Sequence, residues 1–385
     1  MQLSRAGRLL RDYVAIPSVN PMGRSDIDPA ILGERRYAEH VKADLQRLGV
    51  DAVIVGKAER ASVVAQLRSP EAVDTLLIAS HLDTVPVEGM TIAPFDPVVR
   101  EERLYGRGAC DTKAGMAALM AALEHVLARG RLRRNLIVVG EADEEMSSAG
   151  VHDVIAHLEG SAIDWALATE PTGMQLVSCH KGRIALQLGA RGLAHHSSSP
   201  DRGQNAILPL ARAALALADL HGELRSQSDP RLGSATLAVT MINGGHAPNI
   251  VPDRALLIAD RRTLPGETVE VVRGEIERAL ERAGLTGQVA IEHAHNEKNA
   301  LGTPDDHPAV DACQRALRAC GLPSAIGSAP FATDAGPLAA HGIASVVLGP
   351  GDIAQAHTAD EFVSLDQVDA MQAVFERLLA GEDAV

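Results

Sequence analysis

Short apolar runs alternate with stretches of helical periodicity over much of this chain of 385 residues. The strand-like runs lie at 52–56, 62–67, 75–80, 135–139, 165–169 and 344–348. Helical spacing of apolar residues occurs at 4–14, 34–47, 113–129, 148–158, 308–319 and 366–379. Strands that alternate with helices in this way are typical of βα winding. We therefore expect an α/β fold with a mainly parallel sheet flanked by helices.

The middle of the chain has a different pattern. Its strand-like and helix-like segments are, in order, 183–192, 207–220, 234–244, 254–263 and 269–283. Strands with one exposed face next to amphipathic helices predict a separate α+β unit, at 180–294. The first domain would then be discontinuous, made of 1–179 and 295–385, with 295–307 as the return linker.

Composition limits the partners that this chain could have. Aromatic residues make up only 2% and the formal charge is -14, which argues against a nucleic acid because such binding depends on a basic surface. Four widely spaced cysteines favour reduced thiols in a cytosol. Charges interrupt the apolar stretches of 1–20, which favours an amphipathic helix over a signal peptide or membrane span. We expect a cytoplasmic protein that acts on a small molecule, without a membrane partner.

Polar residues follow the apolar runs at the points where the strands should end. His81, Glu145, Glu170 and His357 each come shortly after such a run, and Asp111 precedes a predicted helix in a glycine-dense segment. In an open α/β sheet, ligands bind beyond the carboxyl ends of the strands, where residues remote in sequence meet. These five residues are therefore predicted to form one site.

Two of these segments also allow simpler interpretations. Asp111 could be a helix N-cap, with Thr112 as the alternative cap, or it could bridge two cations with its two carboxylate oxygens. The acidic run 143–145 could be a solvated turn. Alternatively, cations would neutralise it, so that Glu145 binds metal while Glu144 remains available to take a proton.

The five candidate ligands suit a pair of divalent metal ions. Asp111, Glu145 and Glu170 supply three negative charges against the four positive charges of two such ions, which leaves one for hydroxide to cancel. Histidine and carboxylate ligands favour zinc, and cobalt or manganese could replace it. Asp83 lies on the same side of an extended chain as His81 and would orient its imidazole ring.

Five segments together resemble a known family. They are SHLDTVP (80–86), YGRGACDTKAG (105–115), ADEE (142–145), ATEPTG (168–173) and GPGDIAQAHTADEFV (349–363). Over nearly the whole chain, and in the same order, they are similar to the dinuclear-zinc aminoacylase and metallopeptidase family. The likeness is greatest to its acetylornithine deacetylase and succinyl-diaminopimelate desuccinylase branch. The resemblance implies a zinc-peptidase-like catalytic domain in which the five candidate ligands bind metal, Asp111 bridges and Glu144 is the general base.

The resemblance also implies tasks for the inserted unit. It would be a lid and dimerisation domain, and His196 would reach the partner's active site to stabilise an oxyanion. Asn249 and Arg262 match positions that hold the substrate, and Arg262 is suited to a carboxylate. Considered without the resemblance, these three are an exposed loop histidine, a turn asparagine and a surface arginine.

The function expected from these observations is that of a homodimeric metal-dependent hydrolase. It would cleave the amide bond of an N-acyl amino acid, foremost an N-acetyl one such as acetylornithine in arginine biosynthesis. A hydroxide held by the two metals would attack, with Glu144 as base. A dipeptidase, carboxypeptidase or desuccinylase would use the same chemistry. A catalytically idle metal-binding scaffold is the alternative of another class, and the presence of Glu144 counts against it.

Overall fold

The computed structural model describes residues 2–381. Its α-helices are α1 Arg5–Val14, α2 Arg35–Arg47, α3 Lys113–Ala128, α4 Ala149–His157, α5 Ile207–Leu224, α6 Val269–Arg282, α7 Pro308–Ala319, α8 Ala335–Ala340 and α9 Leu365–Ala380. The six helices predicted outside the middle segment begin and end within one residue of the observed bounds. The short helix α8 was not predicted.

The strands in the described residues include nine that coincide with predicted segments and eleven that were not predicted. They are β1 Ala52–Lys57, β2 Arg60–Leu67, β3 Thr75–His81, β4 Val98–Arg100, β5 Arg103–Tyr105, β6 Asn135–Glu141, β7 Trp165–Ala168, β8 Leu176–His180, β9 Gly182–Arg191, β10 His195–His196, β11 Ser228–Asp229, β12 Gly233–Ser234, β13 Thr236–Gly244, β14 Ile250–Val251, β15 Arg254–Thr263, β16 Val289–Lys298, β17 Leu301–Gly302, β18 Ile326–Ala329, β19 Ser345–Val347 and β20 Phe362–Ser364.

The largest sheet is parallel at its centre. Its strand order is β1-β2-β6-β3-β7-β19-β8-β17, and β18 also pairs with β8. The neighbours β6, β3, β7 and β19 all run parallel, whereas β2 joins β6 and β8 joins β19 in the antiparallel sense. Central parallel strands are buried on both faces, which explains their continuous apolar sequence. The expected α/β fold with a mainly parallel sheet is confirmed.

Helices cover both faces of this sheet. In β3, Leu76 and Ile78 pack into a core with α1, α2, α3, α7 and α9, while Leu77 and Ala79 pack on the other side against α4 and α8. Helix α3 is apolar nearly all round and is almost wholly buried, as expected of a helix inside a core. Within residues 2–381, no helix has the length and apolar character needed to cross a membrane.

The chain divides into two compact units. The first comprises the residues up to Ser178, Gly302–Ser328 and those from Thr333 onward, and the second comprises Cys179–Leu301 with Ala329–Ala332. The main stretch of the second unit thus runs to Leu301, beyond the predicted 294, and the unit also includes Ala329–Ala332. Strand β16 runs through part of the predicted linker 295–307, because its pairing with β9 continues as far as Lys298.

The second unit contains an antiparallel sheet with the order β13-β15-β9-β16. Helices α5 and α6 pack on one face, where the apolar residues of alternating positions form their own core. The edge strand β13 is exposed over nearly its whole length and carries Val239, Met241 and Ile242 outward. An exposed apolar edge strand is a surface that proteins commonly pair or cover.

The residues at the N-cap positions of α3 and α4 do not cap their helices with a side-chain hydrogen bond. Thr112, and not Asp111, is at the N-cap position of α3, and its hydroxyl donates to the carbonyl of Thr169 at 2.7 Å instead of capping the helix. Ser148 is at the N-cap position of α4, but its hydroxyl donates to Asp334 at 2.6 Å. Both hydroxyls bond to neighbouring segments of the same unit, a competition that local sequence does not reveal.

Candidate metal centre

The site forms where the parallel strands end. His81 is the last residue of β3, and Glu145 and Glu170 follow the ends of β6 and β7, its two neighbours in the sheet. His357 lies in the long loop after β19, the next parallel strand, and Asp111 directly precedes Thr112 at the start of α3. The winding of the chain thus brings five distant segments to one edge of the sheet.

Asp111 is at the middle of this group. Its Oδ1 lies 2.9 Å from Nε2 of His81, and its Oδ2 lies 3.2 Å from Nε2 of His357. The same His357 nitrogen is 3.1 Å from Oε2 of Glu145, and the His81 nitrogen is 3.9 Å from Oε2 of Glu170. Ligand atoms of His81, Asp111 and Glu145 all lie within 4.8 Å of one another, so these side chains are close enough together to bind metal.

The electrostatics of the group are strongly coupled. Burial opposes the protonation of His81, yet its hydrogen bonds with Asp111 and Asp83 prevail and hold its pKa well above the usual value. Hydrogen bonds with Asp111 and Glu145 raise the pKa of His357 to about 10. Burial, followed by the charge of Asp111, raises the pKa of Glu145. Buried carboxylates this close together require positive charge nearby, from imidazolium or from bound cations.

Asp83 connects His81 with the acidic segment. Nδ1 of His81 lies 3.0 Å from the carbonyl oxygen of Asp83 and 3.4 Å from its Oδ1, so the backbone shares the orienting contact predicted for the carboxylate. The carboxylate also accepts the backbone N–H groups of Glu144, at 3.1 Å, and Glu145, at 3.0 Å. Glu144 itself is 9% exposed.

Asn20 belongs to the same network and was missed in the sequence. Its side-chain amide donates to Asp83 at 2.9 Å and to Asp143 at 2.8 Å. Asp143 is fully buried and also pairs with Arg60 at 3.2 Å. Asn20 precedes a proline, a pattern typical of a turn, so nothing local indicates that it bonds to a segment more than a hundred residues away.

Glu361 was also missed. Its carboxylate is fully buried and accepts hydrogen bonds from the backbone of the segment that carries Asp111. In sequence, Glu361 stands in ADEF just after His357, where an acidic residue is more often a solvated turn. The only available signal was its nearness to His357, and that signal is weak.

Glycine is required where two site loops meet. Gly351 has a φ of +94°, and a Cβ atom there would lie 2.5 Å from Sγ of Cys110, the residue before Asp111. The thiol of Cys110 donates to the carbonyl of Asp352 at 3.3 Å. Cys110 is therefore a packing residue between the Asp111 segment and the loop that leads to His357.

The other three predicted site residues lie in the second unit. His196 is exposed on β10, and its Nδ1 is 2.7 Å from the Ser198 hydroxyl. Strand β10 pairs with β14, and the N–H of Ser197 donates to the carbonyl of Asn249, so His196 and Asn249 are brought together. Arg262 lies apart on β15, with its Nε 2.9 Å from Asp260.

Comparison with known proteins agrees with this geometry. The family model of peptidase family M20/M25/M40 matches residues 77–381. The acetylornithine deacetylase of Photorhabdus laumondii is 31% identical over 312 residues, which cover 79% of this chain and 79% of that protein. The acetylornithine deacetylase of Proteus mirabilis is 31% identical over 314 residues, 79% of this chain and 78% of that protein.

Solved structures share the fold. An M20 family metallo-carboxypeptidase from Sulfolobus solfataricus superposes with a TM-score of 0.80 at 22% identity, covering 100% of both chains. A Bacillus subtilis protein described as a dinuclear metal binding peptidase of the M20 family has a TM-score of 0.73 at 15% identity, covering 98% of this chain and 97% of that one. These matches confirm the family resemblance found in the sequence. The chain belongs to peptidase family M20/M25/M40 and is a metal-dependent hydrolase of amide bonds.

Proposed function

We propose that this protein hydrolyses the amide bond of an N-acyl amino acid, foremost an N-acetyl one such as acetylornithine. The convergence of two histidines and two glutamates in one group with Asp111 is the observation that carries the proposal. Support for the substrate class comes from the name acetylornithine deacetylase, which its relatives at 31% identity bear. Arginine biosynthesis is the pathway that such a substrate would imply.

The residues present fit a pair of divalent ions. Each oxygen of Asp111 faces a different histidine, which is the arrangement that a bridging carboxylate needs. We assign His81, Asp111 and Glu170 to one ion, and Asp111, Glu145 and His357 to the other. Imidazole nitrogen and carboxylate oxygen suit zinc, with cobalt or manganese as substitutes. The Bacillus subtilis neighbour is described as dinuclear, which agrees with this assignment.

Bound divalent ions at such a site polarise a substrate carbonyl and make water a better nucleophile. The proton transfers belong to Glu144, whose carboxylate takes a proton from the attacking water and passes it to the departing amine. Asp83 holds the backbone of Glu144 and Glu145, which fixes the base relative to the neighbouring ligand. A base that is fixed in this way needs little reorganisation during the reaction.

The second unit would complete the active site in a homodimer. The exposed apolar edge strand β13 is suited to pairing with a second copy of the chain. His196, with Nδ1 engaged by Ser198, could use Nε2 to stabilise the oxyanion in the partner. Arg262, already oriented by Asp260, would pair with the substrate carboxylate, and Asn249 would hold the substrate.

A substrate screen tests this proposal. Zinc-loaded and cobalt-loaded protein would be incubated with acetylornithine, acetylcitrulline, succinyl-diaminopimelate and a panel of dipeptides, and the released amine would be measured. We expect the highest kcat/KM for an acetylated amino acid. Preference for dipeptides or for the succinyl compound would overturn the acyl-group assignment. Metal binding without turnover of any of these amides would instead favour the alternative that the protein is a catalytically idle metal-binding scaffold.

A further inference from the structure

The carboxylate of Glu361 holds the backbone that precedes α3. It accepts the N–H groups of Gly108 at 3.1 Å, Cys110 at 2.9 Å and Asp111 at 3.0 Å. A guanidinium nitrogen of Arg107 lies 2.6 Å from the same carboxylate. Hydrogen bonds to an ionised acceptor are about twice as strong as those between neutral groups. Four donors from one short segment thus converge on a single buried anion.

Glu361 also belongs to the loop that supplies His357. The loop is joined to the Asp111 segment by further bonds: the N–H of Gly106 donates to the Glu361 carbonyl at 3.0 Å, and Arg107 donates to the Thr358 carbonyl at 3.5 Å. These hydrogen bonds, together with the backbone between His357 and Glu361, form a closed ring of contacts. The ring contains both Asp111 and His357. Their facing atoms, Oδ2 and Nε2, are 3.2 Å apart within this ring.

The chemistry of the ring requires a carboxylate at this position. A neutral amide in place of Glu361 would present only one oxygen, and its NH₂ group would face donors instead of accepting from them. At least one buried N–H would then lose its partner, and the loop would have to shift to satisfy it. A shift of the segment 108–111 moves Asp111 directly, because the N–H of Asp111 is one of the three backbone N–H groups that Glu361 binds.

We propose that Glu361 is a positioning residue that sets Asp111 and His357 at the separation at which both can bind the same ion. This ion, called the second ion below, is the one assigned to Asp111, Glu145 and His357. The inference rests on the proposed function, since it takes both residues to be metal ligands. It goes beyond that proposal by assigning the spacing of two ligands to a residue that touches neither the ions nor the substrate. Residues that orient metal ligands commonly change metal affinity by about 10–100-fold when replaced.

The test compares ion affinity with fold stability. Metal-free wild-type protein, Glu361→Gln and Asp44→Asn would be titrated with Zn²⁺ against a competing chelator. Their melting would be followed in the metal-free state by the fluorescence of the single tryptophan, Trp165. Asp44 is the matched control, because it is a buried carboxylate that accepts from Tyr13 at 2.8 Å and has no bond to a candidate ligand. If Glu361→Gln does not fold, Glu361→Asp keeps the charge on a shorter side chain and replaces it.

We expect the Glu361 variant to bind the second ion at least about tenfold more weakly, while Asp44→Asn loses stability but keeps the wild-type affinity. Two ions bound with unchanged affinity, together with a loss of melting temperature like that of Asp44→Asn, would overturn the inference. Asp111→Asn separates the two proposals. If this variant also keeps wild-type affinity, the metal assignment fails; if it loses the ions while the Glu361 variant does not, only the positioning role fails.

Discussion

At the level of single residues, the neighbours Glu144 and Glu145 have different proposed roles: Glu144 is the base and Glu145 is a metal ligand. Both backbone N–H groups are held by Asp83, yet it is Glu145 whose carboxylate meets His357. We expect Glu144→Gln to lower kcat by about 10²–10⁴, because the proton acceptor is lost, and to leave the number of bound ions unchanged. Steady-state kinetics and metal analysis of the same preparation check this.

Glu124→Gln is the control for that variant, since Glu124 is an exposed carboxylate paired with Arg5. Its kcat should equal that of the wild type. A Glu144→Gln protein with both ions and wild-type turnover would contradict the assignment of the base.

Sequence predicted the candidate ligands better than the residues that support them. Each ligand except Asp111 follows an apolar run, and a polar residue at the end of a predicted strand can be recognised as a candidate ligand. Asn20 and Glu361 carry no comparable signal, because their importance lies in bonds to segments remote in sequence. Such bonds become visible only when the fold has brought the segments together.

At the scale of loops and helices, the approach of Gly351 to Cys110 limits what the site can tolerate. We expect Gly351→Ala to cost about 1–3 kcal/mol of unfolding free energy, because the added methyl group would overlap Sγ of Cys110 and displace it. The displacement would reach Asp111 and weaken ion binding. Chemical denaturation and chelator competition measure the two effects.

Gly160→Ala is the matched control, because Gly160 has a similar φ of +80° and nothing within 4 Å of the added atom. It should show only the backbone cost and no change in ion affinity. Equal behaviour of the two variants would mean that the contact with Cys110 is unimportant.

Eight of the nine α-helices and nine of the twenty strands in residues 2–381 were predictable, because burial imposes a clear period on their sequences. The hydrogen bonds at the helix N-caps were less predictable. The hydroxyls of Thr112 and Ser148 bond to Thr169 and Asp334, and not to their own helices. The whole of β16 also escaped prediction, since its residues from His295 onward are polar although they continue to pair with β9 as far as Lys298.

At the scale of the whole molecule, the assembly proposed here depends on β13. Met241 is 56% exposed on this strand. We expect Met241→Glu to convert the dimer to monomers, because like charges would meet at a paired edge, and to reduce kcat if His196 acts across subunits. Sedimentation velocity and steady-state kinetics on the same samples give both readouts.

Val73→Glu is the control, since Val73 is 69% exposed and belongs to the first unit, whereas β13 belongs to the second. It should leave the dimer intact. A wild-type protein that sediments as a monomer, yet is fully active, would contradict both the dimer and the proposed role of His196.

We propose that five residues from distant segments hold two ions at one edge of the parallel sheet. Anomalous diffraction from crystals of the zinc-loaded protein tests it most directly. We predict two zinc peaks per chain that share Asp111, one also in contact with His81 and Glu170 and the other with Glu145 and His357. Peaks located elsewhere, or none in contact with Asp111, would rule out this metal centre.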